Sequence, residues 1–238
     1  MQSTLQRLIL IASVAVLSAC ASTPRVPLQA EAKQKIKTIA LVQIPDPEKY
    51  FLNPGQAPGG AVLYMFGAIG GAILGGIEAS RAESATNEFT ASLLSQSPAL
   101  GTHMTDELAT AIASRGYTLT KLAQLPKQTA AKVVDCGDHT GKFDAVMITT
   151  LSAGYAVESQ VEPRVEVSVK LLSSDCTQTL YSESFIYTNK EFPNSVLVPR
   201  STEFTFATRE LLIAGAPKAR EALRTGASEL AKRIAQAL

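Results

Sequence analysis

The chain has 238 residues, 46% of them apolar and 18% charged, with 22 basic against 21 acidic side chains. So apolar a composition excludes an intrinsically disordered chain, and the near-zero net charge excludes the basic stripe that nucleic acid or an anionic lipid surface would need. The length suits one sizeable domain with an insertion, or two small domains.

The first feature in chain order is a targeting signal. A single cation, Arg7, precedes the apolar run Leu8 to Leu17, and small residues follow it. Ten residues rise only about 15 Å as a helix, roughly half of a bilayer's hydrocarbon core, so the run is too short for a permanent span. Its exit, Leu17-Ser18-Ala19-Cys20, resembles the lipobox of bacterial lipoproteins. The resemblance implies that residues 1–19 are a signal peptide and that Cys20 is acylated on sulfur, by chains such as palmitate. Cys20 then becomes the first residue of the mature protein. In that family an Asp after the cysteine favours inner-membrane retention; Ala21 stands here, which implies the periplasmic face of the outer membrane. The alternative is an ordinary signal peptide with a coincidental cysteine. Removing residues 1–19 takes away only Arg7, leaving 21 charges of each sign. Residues 20–35, with Pro24 and Pro27 and no apolar periodicity, read as an extended, lipidated tether.

Residues 36–238 then read as one periplasmic α+β domain: a mixed or antiparallel sheet with packing helices and a glycine-rich helical insertion at 59–96. Ile36 to Ile44 has the composition of a buried strand, stopped by Pro45-Asp46-Pro47. Gly59 to Ile77 runs 19 residues without a charge and holds seven glycines. Gly67, Gly71 and Gly75 recur every four residues and so align on one side of a helix, where they would let another backbone approach closely. The stretch resembles the glycine-zipper motif of bacterial envelope lipoproteins. As a water-exposed helix it would be poor, since each interior glycine costs about 1 kcal/mol relative to alanine. Three readings stay open: insertion in a membrane or self-association, burial against the chain's own domain, or a flexible flap. The charged, alanine-rich Glu78 to Gln96 continues as a solvent-exposed helix.

Beyond it, Pro98 to Arg115 carries Met104, Leu108, Ala111 and Ile112 at helical spacing, and Gly116 is placed to end that helix. Tyr117 to Thr120 is a short strand, and the almost continuously apolar Phe143 to Leu151 suits a central one. Val165, Val167, Val169 and Leu171 alternate with Glu166, Ser168 and Lys170, predicting one dry and one wet face. A turn at Ser173 to Thr177 leads into Thr179 to Tyr187, which completes a hairpin. Pro217 to Leu238 places Leu223, Ala227, Leu230, Ile234 and Leu238 on one helical face. This layout resembles the periplasmic α/β domain shared by the Tol translocation protein's amino-terminal region, lipoprotein activators of cell-wall synthases and the curli secretion lipoprotein. The glycine insertion between first strand and first helix departs from it. The resemblance implies a docking or assembly domain and carries over no catalytic residue.

Three cysteines minus the lipidated Cys20 leave Cys136 and Cys176, an even remainder in an oxidising compartment, which predicts a disulfide; two free thiols are the alternative. Cys136, Asp138 and His139 lie close together but lack a fourth zinc ligand and a recognisable spacing, and His103 belongs to a separate helix. The run Gly137 to Lys142 fails as a phosphate loop, having three residues between its glycines where four are needed. No Gly-x-Ser-x-Gly elbow is present. Glu158, Glu162 and Glu166 are expected on a solvated strand face, and Arg164 and Arg200 as surface residues near loop prolines. The sequence therefore predicts a lipid-anchored protein acting non-enzymatically in envelope assembly or scaffolding. Its expected partners are the membrane, envelope proteins and a second copy of itself, without nucleic acid, cofactor or metal. The alternative is an oligomeric outer-membrane secretion or channel component whose glycine segment enters the membrane; an envelope enzyme is a third reading.

Overall fold

The computed structural model describes residues 25–54, 76–94, 97, 99–123, 136, 139–157 and 160–238. The lipobox with Cys20 and the glycine stripe of Gly67, Gly71 and Gly75 lie outside the described residues.

A mixed sheet of seven strands forms the centre, in the order β3-β1-β4-β5-β6-β7 with β2 also on β4. In chain order the strands are β1 (Thr38–Val42), β2 (Phe51–Pro54), β3 (Thr118–Leu122), β4 (Ala145–Val157), β5 (Val161–Ser173), β6 (Thr179–Tyr187) and β7 (Ser195–Val198). The helices are α1 (Ala30–Lys35), α2 (Gly76–Leu94), α3 (Leu100–Ala113), α4 (Arg209–Ala214) and α5 (Ala216–Ala237). The expected α+β class is therefore what the chain adopts. Strands β1 and β3 pair in parallel, with α3 carrying the chain back between them, and β1 and β4 also pair in parallel. The β4–β5–β6 meander is antiparallel. The predicted hairpin is β5–β6.

Two strands escaped the sequence reading. β2 runs parallel to the far half of β4, in line with β1 along the same edge, from Phe51 opposite Gly154 to Pro54 opposite Val157. β7 runs parallel to β6. Gly154 makes the first pairing possible: a Cβ there would come within 2.6 Å of the Phe51 backbone nitrogen.

The expected tether is also partly folded. Residues 30–35 form α1, and Val26 makes an antiparallel bridge to Ser182 on the β6 edge. Extended backbone therefore gives way to ordered structure well before Ile36.

The main core lies between the sheet and its helices. Met147, Leu151 and Tyr155 of β4, Val165, Val167 and Val169 of β5, and Phe185 and Tyr187 of β6 face Leu108 and Ile112 of α3 and Leu223, Leu230 and Ile234 of α5. Each large side chain buried here contributes about 1.5–3 kcal/mol, so this layer is the principal source of stability. Helices α3 and α5 lie side by side in the same direction, with His103 near Arg224 at one end and Tyr117 Oη donating to the Leu238 carbonyl at the other. Tyr155 joins the layers. It stands edge-on to Phe89 of α2 and to Phe206, each 5.7 Å away between ring centres, and donates 3.0 Å to the Ala219 carbonyl. Asp46 caps α3 from a distant loop, accepting from Gly101 N–H at 2.6 Å. Gly116, at φ 93°, ends the segment in the left-handed region as the sequence predicts.

The opposite face of the sheet carries a second, smaller cluster: Ala40, Val42, Leu122, Val146 and Leu172 with Cys136 and Cys176. The two cysteines are joined by a disulfide, with Cα atoms 6.0 Å apart. Asp175 prepares the bend that presents Cys176. Its carboxylate accepts from Ser173 Oγ and from the Thr177 amide and hydroxyl, bonds that hold its pKa at about 2. Cys176 itself sits at φ 59°, a conformation that few residues other than glycine and asparagine adopt.

Candidate functional site

The side chains with the most unusual surroundings lie on β5, on the sheet face away from α3 and α5. Glu162, Arg164 and Glu166 alternate along the strand, so all three project to that side. The sequence reading places them in solvent, and the structure corrects it. Arg164 and Glu166 are both buried, and their side chains pair at 3.6 Å, Nε to Oε1. Phe192 stacks on the Arg164 guanidinium at 4.4 Å from the ring centre. Arg200, also read as a surface residue, is buried; its Nη2 lies 2.5 Å from Glu162 Oε1. Asn189 and Ser201 complete its setting, the first accepting from the Arg200 backbone N–H and the second, through its carbonyl, from Nη1. Arg200 Nε is buried without a hydrogen-bond partner.

The physical cause of this burial is the chain that follows β6. Phe192 precedes β7 and Arg200 follows it, and both fold back over the sheet face. Burial pushes the Glu166 carboxyl upward and Arg164 draws it part of the way back; burial likewise lowers the Arg164 guanidinium, against the pull of Glu166. Two paired charges out of water gain little net stability but set strict geometry, because either one alone is costly. The arrangement is a structural clamp for the β6–β7 return. Its acids and bases are turned toward each other.

A second polar cluster lies between α3 and α5. His103, Arg220, Arg224, Ser228, Glu221 and Glu229 line a cleft of about 520 Å³. His103 Nε2 sits 3.0 Å from Ser228 Oγ and 3.3 Å from the Arg224 carbonyl, while Arg224 Nη2 approaches Nδ1 at 3.5 Å. Burial first, and then the neighbouring Arg224 charge, push the imidazole below its ordinary range. A neutral ring donating through Nε2 and accepting at Nδ1 accounts for all three contacts. This is a satisfied helix-bridging histidine. Arginines and glutamates alternate around the cleft, so it has no single sign of charge.

The third is the attachment of the N-terminal segment. Arg25 Nε lies 2.5 Å from Glu183 Oε1, and Tyr181 Oη donates to Oε2 at 2.6 Å. Glu183 is buried on β6, while Arg25 is largely exposed.

Among the residues singled out from sequence, Cys136 and Cys176 are brought together as a disulfide. His139 stands near that bridge, its N–H bonded to the Cys136 carbonyl. Among the described residues no group of three or more metal-ligating side chains gathers, and no helix is long and apolar enough to cross a membrane.

No family model matches the sequence, and no curated protein matches it. Solved structures resemble it broadly. A protein of family DUF330 from Xanthomonas campestris is 12% identical, with a TM-score of 0.38 over 91% of this chain and 90% of that one. The PelC dodecamer of Paraburkholderia phytofirmans is 11% identical, with a TM-score of 0.30 over 87% of this chain and 93% of that one. Lipoprotein GNA1162 of Neisseria meningitidis is 15% identical, with a TM-score of 0.27 over 66% of this chain and 88% of that one. Scores this low carry no functional inference, so function is argued from the chain's own residues.

Proposed function

We propose that this chain is a lipoprotein anchored at the periplasmic face of the outer membrane, acting in envelope assembly or scaffolding by docking rather than by catalysis. The observation that carries the reading is the lipobox-like Leu17-Ser18-Ala19-Cys20 at the end of a ten-residue apolar run. The pairing of the remaining cysteines, Cys136 with Cys176, supports an oxidising compartment.

The test is acyl labelling. Cells given a clickable palmitate analogue should label the wild-type chain and leave Cys20→Ser unlabelled and unprocessed or soluble. Incorporation that persists in Cys20→Ser would remove the anchor.

A second reading, an oligomeric secretion or channel component, is favoured by the four-residue spacing of Gly67, Gly71 and Gly75. Size analysis of detergent-extracted protein separates the two: a stable ring-sized assembly supports the channel, a monomer the scaffold.

A further inference from the structure

The attachment of residues 25–28 to the sheet goes beyond what joining a tether to a domain requires. β7 covers the outer edge of β6 only from Ser184 to Tyr187. At Ser182 the same edge is taken by Val26, which exchanges two hydrogen bonds with it: Val26 N–H to the Ser182 carbonyl at 2.8 Å, and Ser182 N–H to the Val26 carbonyl at 2.9 Å. Beside that bridge, Glu183 has a side chain only 4% exposed, and its positive partner Arg25 is supplied by the N-terminal segment. A carboxylate buried that deeply is costly without a cation, so the segment is drawn to the site. Leu28 adds apolar contact with the main core. After it comes α1, which has no buried residue, and the next firmly held position is Ile36, 3% exposed.

We infer that residues 25–28 are a latch fixing how far the domain stands from the lipid surface; this rests on Cys20 carrying the lipid. With the latch closed, the six residues from Cys20 to Val26 can span at most about 20 Å. With it open, the free chain runs from Cys20 to Ile36. Its reach is then about 40 Å if α1 stays helical and about 50 Å if it unwinds. The same domain thus has a short and a long working distance, separated by one ion pair, one bridge and one apolar contact. The closed state also fixes orientation, because it brings the outer β6 edge nearest the anchor.

Hydrogen exchange on the soluble Cys20→Ser protein tests the latch apart from the lipid. The Val26 and Ser182 amides should exchange at least tenfold more slowly in that protein than in the same protein with Arg25→Ala. Wild-type-like exchange in the Arg25→Ala form, or unprotected amides without it, would overturn the latch. Standoff is read on the lipidated chain in vesicles of phosphatidylethanolamine and phosphatidylglycerol. A donor fluorophore on exposed Glu203 reports energy transfer to a lipid-borne acceptor. Arg25→Ala should lower the transfer, and adding Val26→Cys with Ser182→Cys under oxidising conditions should restore it. Equal transfer in all three would overturn the standoff role. Acyl labelling of the same preparation separates the two failures. An unlabelled Cys20 overturns the standoff by removing the anchor and leaves the exchange result standing.

Discussion

The two faces of the sheet are held by different physics. Beneath α3 and α5 the layer is built from broad apolar side chains such as Leu108, Leu230, Tyr155 and Phe185, all essentially without exposure. On the other face a smaller apolar cluster, with Val42, Leu122, Val146 and Leu172, is accompanied by directional devices: the Cys136–Cys176 bridge at one end, and the Arg164–Glu166 and Arg200–Glu162 pairs toward the other. The first kind of layer tolerates volume-conserving exchange and fails by cavities. The second tolerates replacement of a whole pair and fails when one member is taken away. The helix-covered face therefore supplies most of the burial that folds the chain, and the ion pairs of the other face specify where the β6–β7 return lies.

The buried ion pair gives the largest effect by which that contrast can be broken. Arg164→Ala leaves the Glu166 carboxylate buried beside an empty space and should cost about 3–5 kcal/mol in urea unfolding. Replacing both, Arg164→Met with Glu166→Leu, should restore most of the loss. If Arg164→Ala costs under about 1 kcal/mol, the pair is hydrated and the two faces are alike in kind.

Smaller and more local is the disulfide. Cys176→Ser should cost about 2–4 kcal/mol, since the bridge closes a 40-residue separation in the unfolded chain. Faster hydrogen exchange should be confined to the ends of β4 and β5 that meet it, with α5 keeping its protection. Equal loosening of α5 would show that the two faces are one cooperative layer and would sharpen the comparison into a single core.

The same contrast explains what the sequence could announce. The core helices and the β5–β6 hairpin were legible because their signal is periodic: Leu223, Ala227, Leu230 and Ile234 recur at helical spacing, and Val165, Val167 and Val169 at strand spacing, and all are buried. The cysteine pair was legible from counting. β2 and β7 were not, because FLNP and SVLV are four residues each and owe their pairing to neighbours distant in sequence. The burial of Glu166, Arg164 and Arg200 was hidden for a related reason. Alternation along β5 correctly separates two faces, yet whether the polar one is wet depends on Phe192 and Arg200 folding over it. No local pattern encodes that. The proline-rich composition of residues 21–35 likewise gave no sign that Val26 finds an open edge at Ser182.

The smallest effect belongs to Asp144, which ties the start of β1 to β4 at the open end of the sheet. Its Oδ2 accepts from the Lys37 and Thr38 amides at 2.8 Å each and from Thr38 Oγ1 at 3.0 Å. The Lys37 amide first, then that of Thr38, hold its carboxyl below the ordinary aspartate range. A carboxylate whose folded pKa is depressed favours folding above its unfolded pKa, and that contribution is lost as pH falls through the depressed folded value. Asp144→Asn keeps an acceptor but loses the charge. At pH 7 it should cost only about 1 kcal/mol, below the usual figure for hydrogen bonds to a charge because this carboxylate is solvated. The gap between wild type and variant should close as pH falls below about 4, where aspartate begins to protonate in the unfolded chain. Urea midpoints measured from neutral to strongly acidic pH give both curves. A gap that stays constant through the acid range would mean that the amides of β1 are held by geometry rather than by charge, and this edge would then belong with the apolar layer rather than with the directional devices of the opposite face.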